Sequence, residues 1–270
     1  MFSMFSKFTP FVSLSISLWP LAVSINVFAL IMSVVLWFHY KVQSDLVILL
    51  TLHLCIIAFI WWRDVIRESL LGLHTSKLEV SFRFGIGLFI LSEVFFFLSF
   101  FWAFYDSSLS PSIELGISWP PLGILPLSAY SVPLLNTIIL LTSGVSVTWA
   151  HHSIINNLFS QSIFSLGLTM VLGVYFLIIQ YEEYCESAFS IADGVYGTTF
   201  FVSTGFHGLH VIIGTTFLIY VFILLVRGFL TYNHHFSFEA AAWYWHFVDV
   251  VCRSEEHTSE LQSHSDLVCR

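Results

Sequence analysis

Glu93 lies near the midpoint of FGIGLFILSEVFFFLSFFWAFY, residues 84–105, a run without lysine, arginine or aspartate. As a helix this run extends about 33 Å, enough to cross a hydrocarbon core about 30 Å thick. One turn away on either side stand Phe89, Ile90, Phe96 and Phe97, so its own helix offers the carboxyl no partner. A charge at this depth costs at least about 2.5–3.5 kcal/mol, which marks the residue as a functional candidate. Two escapes exist: Glu93 takes up a proton because desolvation disfavours its charged form, or a polar group on another helix meets it. In the simplest case it is a protonated acid hydrogen-bonded between helices, with no chemistry at all. His207 and His210, three apart in GFHGLHVIIG, fall near the midpoint of another apolar run. A contact from either would satisfy both groups.

A second constellation is WWRDVIRES at residues 61–69, with His74 after it. Trp61 and Trp62 suit the membrane interface, and Arg63, Asp64, Arg67 and Glu68 follow on the headgroup side. The plain reading is interfacial anchoring. The sharper one is a phospholipid clamp in which cations meet phosphate and Glu68 or His74 meets a headgroup amine.

Twelve histidines invite a metal or haem reading. Such sites need ligands at one depth on facing helices, with further groups to orient them. Only His207, His210 and His246 share a depth. His151 and His152 end one apolar run, and His234 and His235 precede another, so both pairs belong at the same membrane surface. His246 and Asp249 fall inside the last run. The histidines are assigned to packing and headgroup contact, and no metal site and no catalytic residue are expected. Cys55, Cys185, Cys252 and Cys269 form no CxxC pair, so a disulfide framework, a zinc site and an iron–sulfur site are unsupported. No phosphate-binding loop, Ser/His/Asp order or nucleotide motif occurs.

The elements that must position these groups are membrane helices. Of 270 residues 57% are hydrophobic and only 10% charged, against about 25% charged in a soluble domain. Apolar runs predict an all-α membrane protein with helices over about 20–38, 46–62, 84–105, 132–152, 162–180, 197–226 and 239–251 onward. Residues 63–83 form the most basic connection, 106–131 a proline-rich loop, and 181–196 an acidic loop with Glu182, Glu183, Glu186 and Asp193. In the fourth run Asn136, Ser143, Ser146 and Ala150 recur at helical spacing, a small face suited to close packing. The N-terminus, with one lysine, does not read as a removable signal peptide. Six lysines and arginines lie on the N-terminal side of the membrane and only Lys41 on the other, placing the N-terminus on the cytoplasm-equivalent side. Residues 1–251 are read as a single polytopic domain. The last nineteen residues, CRSEEHTSELQSHSDLVCR, carry six charges against twenty in the preceding 251, so residues 252–270 are read as a foreign hydrophilic tail that leaves the seventh helix truncated or altered.

The chain resembles the third-subunit family of haem–copper cytochrome c oxidases. The phrases that carry the resemblance are WWRDVIRES, LFILSEVFFFLSFFWAFYDSSLSPSIELG, WPPLGILPL, VPLLNTIILLTSGVSVTWAHHS, DGVYGTTFFVSTGFHGLHVIIGTTFLI and NHHFSFEAAAWYWHFVDVV, covering nearly all of residues 19–251. The resemblance implies a multi-pass subunit of the mitochondrial inner membrane with its N-terminus in the matrix. Its seven transmembrane helices would form a bundle of two and a bundle of five around a V-shaped cleft that holds phospholipids. It implies a subunit with no redox centre, bound to the catalytic subunit I and the other subunits of the oxidase, whose haem a and copper lie in those partners. Such a subunit supports proton uptake and the durability of subunit I while oxygen is reduced to water with electrons from cytochrome c; nucleic acid is not a partner. Carried across, Glu93 is the intramembrane carboxylate, with His207 and His210 the sixth-helix histidines. Trp62, Arg63, Arg67, Glu68, His74 and Arg227 lie where lipid headgroups are held. The family's seventh helix continues to a hydrophobic, aromatic end, which this sequence replaces from Cys252 onward. The alternative is an independent proton-coupled transporter or channel relaying protons through Glu93. Against it, the halves show no internal repeat and no paired Gly/Pro-broken helices.

Overall fold

A computed structural model describes residues 17–40, 44–72, 74–113, 116–127, 131–232 and 235–268; of residues 70, 76 and 255–268 it describes the backbone alone. The N-terminal stretch up to residue 16, Lys41, His234 and Cys269 lie outside the described residues. Among the described residues seven helices follow one another: α1 (Trp19–Tyr40), α2 (Asp45–Leu70), α3 (Ser76–Leu109), α4 (Val132–Ile155), α5 (Phe159–Glu186), α6 (Gly194–Val226) and α7 (Phe236–Val268). The first six are long and apolar enough to cross a membrane. The chain divides into two compact units, 1–84 and 85–270, with the boundary inside α3.

Several helices outrun their apolar cores. The sequence reading ends the second helix at 62 and treats 63–83 as a connection, whereas α2 continues to Leu70 and α3 begins at Ser76. No glycine or proline interrupts residues 45–70, so the backbone ladder continues past the apolar segment. For the same reason α5 runs on to Glu186 and takes Glu182, Glu183 and Glu186 out of the acidic loop. The seventh helix likewise continues beyond Val251 to Val268, because 236–268 contains neither glycine nor proline, although its charged end keeps it out of the apolar spans.

In the N-terminal unit α1 and α2 fold back on each other. The residues of α1 that become buried are polar, Asn26 and Ser33, and Ile57 is buried on α2. Asn26 Nδ2 donates to His53 Nδ1 at 2.6 Å. Nearer the start of α1, Trp19 Nε1 donates to Asp64 Oδ2 at 2.9 Å. Lipid tails are as apolar as leucine, so such polar contacts and small residues hold membrane helices together, while the large apolar side chains face outward.

In the second unit α4, α5, α6 and α7 close a ring, each packed on the next and α7 returning to α4. Asn157, in the left-handed region at φ 56°, makes the tight turn from α4 to α5, a conformation asparagine tolerates well. The ring is centred on Trp245 of α7, which is fully buried. Its indole N–H donates to Ser143 Oγ of α4 at 2.8 Å. Room for the ring comes from Gly173 of α5 and Gly214 of α6, where a β-carbon would lie 2.6 Å and 3.0 Å from indole atoms. Asn136, Ser143, Ser146 and Ala150 of α4 are all buried, and Ser146 Oγ shares a 2.7 Å hydrogen bond with Thr169 Oγ1 of α5. The part of α3 in this unit joins the ring through side chains rather than close backbone approach: Phe96 meets Phe206 edge-on at 5.0 Å, and Phe97 meets Phe247 at 6.0 Å.

Candidate functional site: an intramembrane Glu–His pair

Glu93 and His210 meet where α3 lies against α6. Glu93 Oε2 is 3.0 Å from His210 Nε2, with side-chain exposures of 21% and 9%. The other ring nitrogen, Nδ1, is 2.6 Å from the carbonyl oxygen of Phe206, one turn back on α6. A carbonyl can only accept, so Nδ1 carries a hydrogen. Nε2 then either accepts from a protonated Glu93 or, as part of an imidazolium, donates to the carboxylate. A neutral imidazole facing a carboxylate would set lone pair against lone pair. Either arrangement sets a single proton between the two groups and leaves the pair without net charge, the form that apolar surroundings favour.

The aromatic walls of the pair belong to α3 and α7. Phe97 packs edge-on against the His210 ring at 5.0 Å and is itself 2% exposed. Tyr244 of α7 stacks on the ring at 6.3 Å, and Phe247 stands 6.2 Å away. The two candidate histidines thus separate. Three residues turn a helix through about 300°, so side chains at i and i+3 diverge by about 60°. His210 faces α3, whereas His207, 1% exposed, turns inward and meets Phe176 of α5 edge-on at 5.4 Å.

The headgroup candidates fall into two groups. Trp62, Arg63, Arg67 and Glu68 lie on the last turns of α2. Trp62 is 63% exposed, and the Arg63 guanidinium is paired with Asp64 at 3.0 Å. Asp64 is thereby shared between Arg63 and the Trp19 indole, which ties the basic end of α2 to the start of α1. His74 follows in the turn before α3 and packs edge-on against Phe82 at 5.3 Å. Arg227 belongs to the second unit, immediately past the end of α6.

Among the described residues, three polar groupings escape the sequence reading because each brings together side chains of two different helices. Glu183, 6% exposed, receives Asn136 Nδ2 across α4 and α5 at 3.4 Å. On α7 the His246 ring lies 3.7 Å from buried Asp249 and 3.4 Å from Thr148 of α4. His151, His235 and Glu239 gather where α4 ends and α7 begins. The only local signal for the last is His235 and Glu239 at i, i+4.

Among the described residues, seven helices, six of them apolar enough to span a membrane, with Glu93 and His210 in contact inside the second unit, define a polytopic helical membrane protein. The family model for cytochrome c oxidase subunit III matches residues 9–253. The chain is 56% identical to cytochrome c oxidase subunit 3 of Osphranter robustus over 234 residues, 86% of this chain and 89% of the relative. It is 53% identical to that of Drosophila melanogaster over 243 residues, 90% and 92% of the two chains. The chain belongs to the cytochrome c oxidase subunit III family. It is accordingly a multi-pass membrane subunit of an oxidoreductase complex of the respiratory chain.

Proposed function

We propose that this chain is a non-redox subunit of the mitochondrial inner-membrane oxidase, its N-terminus in the matrix, that supports proton uptake and stability of catalytic subunit I and holds phospholipid. The observation that carries the reading is the Glu93–His210 pair, a 3.0 Å contact between two helices in apolar surroundings. Both ring nitrogens of His210 are engaged, so it offers no lone pair to an iron. Membership of the subunit III family supports assigning electron transfer to the haem a and copper of partner subunits. The pair contributes a fixed hydrogen bond that joins α3 to the ring and keeps a proton at constant position beside its neighbours.

Glu93→Gln tests this. An amide N–H can still donate to His210 Nε2, so the variant complex assembles and reduces oxygen at near wild-type rate. Glu93→Ala leaves the ring nitrogen without its partner, at about 1–3 kcal/mol, and releases the subunit more readily in detergent. A Gln variant that assembles fully yet abolishes oxygen reduction overturns the reading, because essential proton delivery requires a group that both accepts and releases the proton.

The exposed basic end of α2 supports phospholipid retention. Arg63 and Arg67 stand beside the exposed Trp62, an arrangement matched to phosphate and the interface. Replacing both arginines with Gln lowers the phospholipid that co-purifies with the complex, measured by mass spectrometry, and leaves electron-transfer rates unchanged. Unaltered lipid content reduces the segment to plain anchoring.

A further inference from the structure

His235, at the start of α7, is oriented as a ligand. Its Nδ1 is 3.1 Å from the carbonyl oxygen of Thr231, which can only accept, so Nδ1 carries a hydrogen and, in the neutral ring, the lone pair is on Nε2. That lone pair points at Glu239, with 3.4 Å between Nε2 and Oε1. A neutral imidazole and a carboxylate so placed repel unless a proton or a cation lies between them. Beside them His151, from the last turns of α4, has its Nε2 buried without a hydrogen-bond partner. The His151 and His235 rings are 5.7 Å apart, and Phe238, fully buried, backs His151 at 5.5 Å. One ligand atom from each of His151, His235 and Glu239 lies within 4.8 Å of the other two.

We infer that His151, His235 and Glu239 bind a redox-inert divalent transition ion, of which zinc is the type. Two imidazoles and a carboxylate are a characteristic zinc donor set, with a fourth position for water. Zinc–ligand bonds of about 2.0–2.1 Å in a tetrahedron separate ligand atoms by about 3.3 Å. His235 and Glu239 already stand at that separation. A small rotation of the His151 ring completes the set. The Thr231 carbonyl plays the part that outer hydrogen bonds play at metal-binding histidines: it fixes the tautomer and the ring plane. Bound there, the ion ties the end of α4 to the start of α7 and closes the ring of helices at that face. The proposed ion has no redox role.

The test is a titration of the purified oxidase complex with zinc alone, in competition with a chelating dye. Zinc bound anywhere else in the complex contributes equally to every sample. The wild-type complex is expected to take up one equivalent more than His151→Gln. Glu239→Gln, which keeps the shape of the side chain, weakens that equivalent by more than about tenfold. His152→Gln, next along α4, binds as wild type. X-ray absorption at the zinc edge of the wild-type complex, which needs no variant, shows imidazole in the shell of that equivalent. Equal uptake by wild type and both ligand variants, or a shell without imidazole, overturns the inference.

Discussion

The α1–α2 hairpin and the α4–α7 ring solve the same problem by opposite means. Within its own unit the hairpin covers little of its surface: 11% of the apolar span of α1 and 6% of that of α2 are buried, against 39% in each of α4, α5 and α6. Neither can rely on water to drive apolar groups together. The hairpin turns its few polar side chains inward and leaves its apolar ones out, so it is held at discrete points, Asn26 to His53 and Trp19 to Asp64. The ring brings backbones close through glycine, serine and alanine, and fills the centre with one tryptophan. Point contacts leave most of the hairpin's apolar surface exposed, whereas interdigitated packing makes a scaffold rigid enough to hold Glu93 and His210 in register.

This contrast can be broken most severely at Gly173. A leucine there drives its β-carbon into Trp245 and Thr215 and is expected to cost about 3 kcal/mol or more. Loss of the subunit from the purified complex, read by gel electrophoresis, is the outcome to look for; a Leu variant as stable as wild type removes the glycine–tryptophan account of the ring. Ser143→Ala is milder. It leaves the buried Trp245 N–H without its acceptor, at about 1–3 kcal/mol, and lowers the midpoint of detergent-induced dissociation without preventing assembly. The smallest effect belongs to the hairpin. Asn26→Ala removes one interhelical hydrogen bond, and such bonds average about 0.6 kcal/mol in a membrane. Its midpoint should move less than that of Ser143→Ala, and the reverse order would show the hairpin to be the tighter of the two.

The sequence by itself determined a great deal here, because a membrane is a severe solvent. Apolar runs of spanning length located the helices, the lone carboxylate at Glu93 announced a group needing a partner, and the small face of α4 marked a packing surface. Long, specific phrases identified the family. Helix ends were less legible, since hydropathy reports where the bilayer would be and a helix without glycine or proline runs past it, as α2, α5 and α7 do.

Only the tertiary structure decided which groups meet. His207 and His210 share a depth and are equivalent as letters; the rotation of α6 against α3 and α5 sends one into the core and the other to Glu93. Glu183 reads as part of a solvated acidic loop until α5 extends and lays it against Asn136. His151 and His235, eighty-four residues apart in number, become neighbours because α7 returns to α4 and closes the ring. The physical reason is common to all three. Depth and amphipathicity are properties of a single helix and are written along it, whereas partner choice depends on the relative rotation of two helices, which packing of all the side chains between them sets.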